Sequence, residues 1–149
     1  MRLTSMTDYA LRLLMYLAQH PDRLCTIAEI ATAHGISEAH LMKITHQLAL
    51  VGWIETVRGK GGGMRLALQP ADINLGEVVR SMESDFQLVE CFGPANECVI
   101  VRQCRLTSVM RGALDSFMAH LDKYTLADLF PGKPVARKIT RRTVSIKAA

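Results

Sequence analysis

The chain has 149 residues, 49% of them hydrophobic and 21% charged, which suits one globular domain with its own core. It has no run of about eighteen apolar residues and no apolar stretch near its N-terminus, so we expect neither a membrane-spanning helix nor a secretory signal. We therefore expect a cytoplasmic protein, in which clustered cysteines are more often metal ligands or redox groups than structural disulfides.

The net charge of +4 is concentrated at one end of the chain. Residues 131–149 hold six basic side chains and no acidic one, whereas residues 1–130 carry a net charge of −2. This basic tail also lacks hydrophobic periodicity, so we predict that it is disordered. Specific nucleic-acid binding must then depend on cations placed within the folded part of the chain.

Hydrophobic periodicity predicts a first helix from Asp8 to His20, because apolar residues recur there at intervals of three and four. Thr7 or Asp8 is expected to cap its N-terminus, since a short polar side chain accepts a hydrogen bond from a free backbone N–H there. Pro21 ends the helix, because the residue before a proline disfavours helical geometry.

Two further helices follow, and together they are typical of a helix-turn-helix motif. The first spans residues 27–34 behind a capping box and ends at Gly35. The second spans residues 38–51, with Ser37 as its N-cap and Gly52 at its end. Its exposed leading edge, Ser37, His40 and Lys43, is predicted to enter the major groove of DNA. His40 and His46 are expected at the DNA or on the surface rather than on a metal.

Two short strands are predicted at 53–57 and 64–68, with the segment Arg-Gly-Lys-Gly-Gly-Gly at 58–63 between them. Its glycines permit positive φ and close approach. A phosphate-binding loop needs its glycines between a strand and a helix, so a DNA-binding wing is favoured. The predicted wing contacts are Arg58, Gly59, Lys60, Gly61 and Gly62, with Arg58 favoured for insertion into a minor groove.

Three of the four cysteines lie within fourteen residues, at spacing C-x6-C-x5-C. Cys91, Cys98 and Cys104 can converge on one metal centre, although zinc and the common iron–sulfur clusters take four ligands, so one ligand must come from elsewhere. The alternative is that they are unrelated buried or free thiols. Cys25 stands apart and is expected to be a packed or idle thiol.

A short helix at 75–82 precedes the cysteines, and the longest helix, 105–121, follows them. The long helix carries an apolar residue at every third or fourth position over four turns. A domain of this size has few other residues that could cover this apolar stripe, and we therefore expect much of the stripe to form a homodimer interface. Packing of the stripe within its own chain is the alternative. A last helical turn is expected at 124–130.

The predicted fold class is mainly α with a two-stranded β wing: a winged helix-turn-helix domain plus a long dimerisation helix. The predicted domains are a winged helix-turn-helix DNA-binding domain (1–82), a cysteine loop (83–104), a dimerisation helix with a C-terminal turn (105–130) and the basic tail (131–149). We find no nucleophile–base arrangement or paired carboxylates, so the sequence does not predict an enzyme.

With the wing and the cysteines in place, the chain resembles the dimeric winged helix-turn-helix repressors that carry an iron–sulfur cluster, the family of the NsrR, IscR and RirA regulators. The resembling segments are 1–10, 57–63, the three cysteines and 121–129. The resemblance implies a homodimer that binds a two-fold symmetric double-stranded DNA operator. It also implies an iron–sulfur cluster on Cys91, Cys98 and Cys104.

Two details resemble the nitric-oxide-sensing, NsrR-type members. IscR-type members complete the site with a histidine three residues after the last cysteine, where this chain has Thr107. NsrR-type members can use an N-terminal aspartate of the other subunit, and this chain has Asp8. Asp8 also suits a helix cap, and Glu90 and Glu97 are competing oxygen donors.

The resemblance implies that nitric oxide attacks a cluster, with [4Fe–4S] favoured over [2Fe–2S], and that the protein then releases its operator. An iron-, oxygen- or cluster-status sensor of the IscR or RirA kind is the alternative within the family. Outside it, the alternatives are a metal-free thiol redox regulator, a zinc-stapled DNA-binding protein and an electron carrier, which the wing argues against.

Overall fold

A computed structural model describes residues 2–130, so the tail predicted to be disordered lies outside the described residues. The described elements are, in chain order, α1 (Ser5–Gln19), α2 (Ile27–His34), α3 (Glu38–Val51), β1 (Ile54–Val57), β2 (Gly63–Leu66), α4 (Leu75–Met82) and α5 (Leu106–Leu121). Short 3₁₀ turns lie at Pro70–Asp72, Glu90–Phe92 and Leu126–Leu129. The mainly α class with a two-stranded antiparallel wing is confirmed.

Helices α2, α3 and α4 have the bounds predicted from sequence, because each is delimited by a local cap. The side chains of Thr26, Ser37 and Asn74 each accept a hydrogen bond from the backbone N–H three residues later. Gly35 and Gly52 end α2 and α3 in the left-handed conformation, with φ of 63° and 87°. The bounds of the helix-turn-helix are therefore set by capping residues within the motif itself.

Helix α1 begins three residues earlier than predicted, and the assignment of Thr7 or Asp8 as its cap is wrong. Thr4 is the N-cap, and its hydroxyl accepts a hydrogen bond from the Thr7 N–H at 3.4 Å. Thr7 is instead fully buried, and Asp8 forms an ion pair with Arg12 at 2.9 Å on the helix surface. The strands are also shorter than the predicted 53–57 and 64–68.

The core lies between α1, the helix-turn-helix and the segments that follow the wing. Fully or almost fully buried apolar side chains come from every part of this head: Leu13, Leu14, Leu17, Ile30, Leu41, Ile44, Leu48, Ile54, Ile73, Val78 and Leu126. The 3.6-residue period of α1 and α3 places these side chains on one face of each helix, so the two helices pack together. The opposite face of α3 is left exposed.

The base of the wing is paired with the segment before α2. Backbone N–H groups of Cys25 and Met64 each donate to the other residue's carbonyl, at 2.9 and 2.8 Å. A Cβ on Gly63 would lie 2.7 Å from the Cys25 carbonyl oxygen, so only glycine permits this approach. Cys25 itself is fully buried, as expected for a packed thiol, and burial raises its pKa.

Helix α5 is attached to the head at its C-terminal end. Arg80 of α4 donates to both carboxylate oxygens of Asp122, at 2.6 and 2.7 Å. The Asn74 side-chain amide donates to the backbone carbonyl of Asp122 at 2.8 Å. Met118 is the one buried residue of α5 within the described chain, whereas Leu106 and Val109 are 52% and 64% exposed. The apolar stripe of α5 is therefore largely uncovered by residues 2–130.

Glu83, directly after α4, ties the start of the cysteine segment to the first turn of α1. One of its carboxylate oxygens accepts hydrogen bonds from the Thr4 N–H at 2.8 Å and from the Thr4 hydroxyl at 3.2 Å. The same oxygen accepts the hydroxyl hydrogen of the buried Thr7. A carboxylate at a helix N-terminus is also favoured by the helix dipole.

Residues 2–130 contain no helix with both the length and the apolar character needed to cross a membrane.

Replacing Glu83 by Ala should lower the free energy of unfolding by about 1–3 kcal/mol, because the buried Thr7 hydroxyl loses its acceptor. Urea unfolding followed by circular dichroism measures this change. The matched control is Glu77→Ala, an exposed glutamate on α4 that should cost less than about 0.5 kcal/mol. Equal stability of the two variants would contradict the role given to Glu83.

Candidate nucleic-acid interface and cysteine site

The exposed face of α3 presents the residues predicted to enter a major groove. Ser37, His40 and Lys43 are all exposed, while Leu41 and Ile44 between and beside them are fully buried. Ser37 also caps the helix, accepting a hydrogen bond from the His40 N–H at 3.3 Å. The helix is thus anchored by one face and offers hydroxyl, imidazole and ammonium groups on the other, all capable of contacting base edges or phosphates.

The wing tip is a glycine-built turn that holds two exposed cations. Gly59 and Gly61 have φ of 95° and 76°, and the Gly62 N–H donates to the Gly59 carbonyl at 3.0 Å. A Cβ on Gly62 would overlap the Val57 carbonyl oxygen. The tip therefore needs glycine at these positions, and it leaves the backbone open to a phosphate or groove at close range.

The cations of the hairpin differ in their pairing. Arg65 lies opposite Glu55 in the strand register and forms a cross-strand ion pair with it. Across residues 2–130, Arg58 and Lys60 form no ion pair and are exposed. Arg58 and Lys60 are consequently the wing cations free to neutralise phosphates, whereas Arg65 stiffens the hairpin.

The structure brings the three clustered cysteines together. Cys91, Cys98 and Cys104 line one cavity of about 160 Å³. Most of its other lining residues are apolar: Val89, Ile100, Val101 and Leu106. The three thiols are free and half-buried, and Cys25 belongs to the head instead. Of these apolar side chains, Ile100 and Leu106 are more than half exposed, so the cavity opens onto the surface of residues 2–130.

Two of the three sulfurs are held by the first turn of α5. The Thr107 hydroxyl donates to Cys91 Sγ at 3.1 Å, and the Leu106 N–H donates to Cys104 Sγ at 3.4 Å. The first turn of α5 has no acidic residue and no side-chain cap. Its partly positive N-terminal end faces the cysteines, so the helix dipole would favour an anionic group bound there.

The third cysteine is fixed by the loop. The Cys98 N–H donates to the Asn96 side-chain oxygen at 3.0 Å. The Glu97 N–H donates to a Glu90 carboxylate oxygen at 2.9 Å, so Glu90, which also lines the cavity, stabilises the loop. Asp8 lies on α1, apart from the residues that line the cavity of its own chain.

The donor set fits an iron–sulfur cluster. Within residues 2–130, no three Cys, His, Asp or Glu side chains are close enough together to hold a single metal ion. The ligands of a cluster bind different iron atoms and therefore stand farther apart than the ligands of one zinc ion. Thiolates are soft ligands that suit the iron of an iron–sulfur cluster, so three of them around one cavity fit such a group.

Sequence reasoning missed the contacts that orient these sulfurs. The sequence singles out Thr107 only by its position three residues after the last cysteine, not as a hydrogen-bond donor to sulfur. It also does not predict that the guanidinium of Arg111 lies 4.9 Å from the centre of the Phe92 ring. The available signal was a hydroxyl residue in the first turn of the helix that follows the last cysteine. A threonine there is also a common helix residue, so the pattern alone does not reveal its partner.

A family model described as an iron-dependent transcriptional regulator, Rrf2, matches residues 3–132. The chain belongs to the Rrf2 family. It is similar to the HTH-type transcriptional regulator NsrR of Bacillus subtilis, with 48% identity over 95% of this chain and 98% of that protein. It is also similar to the NsrR regulator of Halalkalibacterium halodurans, with 47% identity over 87% of this chain and 90% of that one.

Among solved structures of Rrf2 regulators, T. potens IscR superposes with a TM-score of 0.70 and 27% identity, over 87% of this chain and 85% of that chain. These similarities confirm the resemblance drawn from sequence and the winged helix-turn-helix fold. This Rrf2 chain is a transcriptional regulator of the NsrR type, and the prediction that it is not an enzyme is confirmed by its family and relatives.

Replacing Arg58 by Ala should weaken binding to a DNA duplex selected with the wild-type chain, on the order of tenfold. The slope of log affinity against log salt concentration should fall by about one, since one phosphate contact is lost. Fluorescence anisotropy at several salt concentrations measures both. Lys123→Ala removes an exposed cation beyond α5 and should change neither quantity. Unchanged affinity in Arg58→Ala would remove the wing from the DNA interface.

Proposed function

We propose that this Rrf2 regulator is a homodimeric repressor that holds an iron–sulfur cluster and releases its operator in response to nitric oxide. The observation that carries the proposal is the meeting of Cys91, Cys98 and Cys104 around one apolar cavity at the first turn of α5. A transcriptional regulator with such a site has a place for a reactive centre between its DNA-binding head and its longest helix. It would act on DNA in the cytoplasm.

The DNA-binding part of the proposal rests on two exposed polar surfaces of the head. Ser37, His40 and Lys43 on α3 would enter the major groove, and the wing from Arg58 to Gly62 would follow phosphates into the minor groove. Arg58 is the strongest candidate for the minor groove, because a narrow groove attracts an unpaired guanidinium.

The dimer rests on α5. Its apolar side chains Leu106 and Val109 stay more than half exposed, and nearby loop residues Val99 and Ile100 are 96% and 60% exposed. So large an uncovered apolar surface beside the cysteines is costly in water. A second copy packed along α5 would cover it, and two-fold symmetry would place two α3 helices on a two-fold symmetric operator.

The cluster would be held by Cys91, Cys98 and Cys104, with Asp8 of the partner subunit as the fourth ligand and [4Fe–4S] favoured over [2Fe–2S]. When bound, it supplies iron atoms at which nitric oxide can displace a weak protein ligand. A carboxylate is a harder ligand than a thiolate and suits the sulfide-bridged iron of a cluster less well, so Asp8 would be the weakest of the four ligands.

The chain offers a mechanical path from Asp8 to the DNA-binding surface. Asp8 lies in the first turn of α1, which Glu83 ties to the end of α4. The buried face of α1 packs against α3, so a shift of that turn changes the placement of α3. The two placements would differ in affinity for the operator, which is what a ligand-driven switch requires.

A sensor of iron supply is the second candidate function, and the description of the family as iron-dependent favours it. The same three cysteines and the same α5 dimer would serve, but release would follow loss of iron rather than exposure to nitric oxide. The two candidates therefore share a site and differ in signal.

Anaerobically purified wild-type protein should be coloured and should contain iron and sulfide. Replacing any one of Cys91, Cys98 or Cys104 by Ala should remove the visible absorbance, because too few thiolates remain. Cys25→Ala is the matched control and should keep the colour, since Cys25 is buried in the head. Colour retained in all three loop variants would overturn the cluster site, and a colourless, zinc-loaded wild-type protein would indicate a structural zinc ion.

Anaerobic titration of the coloured protein with nitric oxide, with operator binding followed in the same samples, tests the signal. We expect affinity for the duplex to fall as nitric oxide reaches the amount of iron present. Loss of binding on treatment with an iron chelator, without any response to nitric oxide, would favour the iron sensor. Full binding by iron-free wild-type protein throughout would overturn both candidates.

A further inference from the structure

The hydroxyl group of Thr107 makes a contact that its position in a helix does not explain. Helical Ser and Thr hydroxyls commonly donate to the carbonyl four residues earlier, as Thr32 does to Ala28 at 2.9 Å and Ser116 does to Gly112 at 2.7 Å. Thr107 instead donates to Cys91 Sγ at 3.1 Å, across sixteen residues of sequence. Thr107 is the second residue of α5, so this contact joins the cysteine loop to the first turn of the helix.

This hydroxyl is oriented as a donor to a sulfur rather than as a metal ligand. Its oxygen lies 3.1 Å from Cys91 Sγ, and the residue shares the cavity with all three loop cysteines. The neighbouring Leu106 N–H donates to Cys104 Sγ at 3.4 Å. Successive residues of one helical turn therefore contact the first and the last cysteine of the loop.

The geometry points to Thr107 as a positioning residue for the proposed cluster: its hydroxyl orients the Cys91 sulfur and withdraws charge from it. This inference rests on the proposed function, because it concerns sulfurs that would ligate iron. Hydrogen bonds to ligand sulfurs stabilise the more negatively charged, reduced state and so raise a cluster's reduction potential. Outer contacts of this kind also orient the ligand and slow its loss.

The position of Thr107 also links the site to the exposed apolar surface of α5. The residue lies in the same turn as Leu106, which is 52% exposed on the face proposed to meet a second copy. A displacement of the Cys91 sulfur would therefore reach the helix that would form the dimer through a single hydrogen bond. The contact serves both to tune the sulfur and to anchor the loop on α5.

The test compares Thr107→Val, which keeps the shape of the side chain but has no hydroxyl, with Thr107→Ser, which restores the donor. Full-length variants are purified anaerobically, and far-ultraviolet circular dichroism checks their folding. The midpoint reduction potential and the rate of bleaching by an iron chelator are then measured. Ser108→Ala, an exposed hydroxyl on the same turn, is the matched control.

We expect Thr107→Val to have a more negative midpoint potential than the wild type and to bleach on the order of tenfold faster. Thr107→Ser and Ser108→Ala should match the wild type. A folded Thr107→Val that holds no cluster, beside a Thr107→Ser that does, would support the same conclusion. Thr107→Ala replaces the valine variant if that one does not fold.

The inference and the proposed function fail differently in this experiment. Wild-type protein with a cluster, together with hydroxyl-free variants of unchanged potential and bleaching rate, would overturn the role of Thr107 alone. Wild-type protein without iron or sulfide would overturn the proposed function and the inference with it. A potential that shifts in Thr107→Ser as much as in Thr107→Val would show that shape, not the hydrogen bond, is what matters, and would overturn the inference.

Discussion

The hydrogen bonds that Glu83 accepts from Thr4 and Thr7 join two parts of the chain that are far apart in sequence. On one side is α1, whose buried face packs against the helix that presents Ser37 to Lys43. On the other side begins the segment that carries the cysteines. Thr7 is fully buried, so its hydroxyl needs this acceptor, and the contact fixes the geometry of the junction. Any influence of the cysteine site on the head within one subunit has this junction as a direct route.

The parts of the fold that sequence predicted well are those set by local chemistry. The bounds of α2, α3 and α4 follow from a capping side chain at one end and, for the first two, a glycine at the other, all readable within a few residues. The sequence pattern places the start of α1 too late because Thr4, its N-cap, is held by hydrogen bonds to Glu83, which lies 79 residues away. A partner so distant leaves no trace in a local pattern. The wing was recognised, but its pairing with Cys25 was not, for the same reason.

The sequence predicts that the three cysteines come together, but it does not predict the contacts that orient their sulfurs. The spacing of Cys91, Cys98 and Cys104 suggested one centre, and the structure places all three around one cavity. Spacing does not show which groups orient the sulfurs, because those contacts depend on how the loop folds over the start of α5. Thr107 is therefore visible in sequence only as a hydroxyl residue three positions after the last cysteine. In the structure it is a donor to sulfur.

The close approach of Gly63 to the Cys25 carbonyl fixes one end of the wing, its root, to the head. The turn from Arg58 to Gly62 forms the exposed tip. A side chain added at Gly63 would overlap the backbone carbonyl of Cys25, so a substitution there would lower the stability of the fold. Beyond it, Arg58 and Lys60 are exposed and form no ion pair within residues 2–130, so exchanging these two side chains would leave the fold intact provided that the tip glycines are kept. Regulators built on this scaffold can thus change the charge at the wing tip without disturbing the core of the head or the cysteine site.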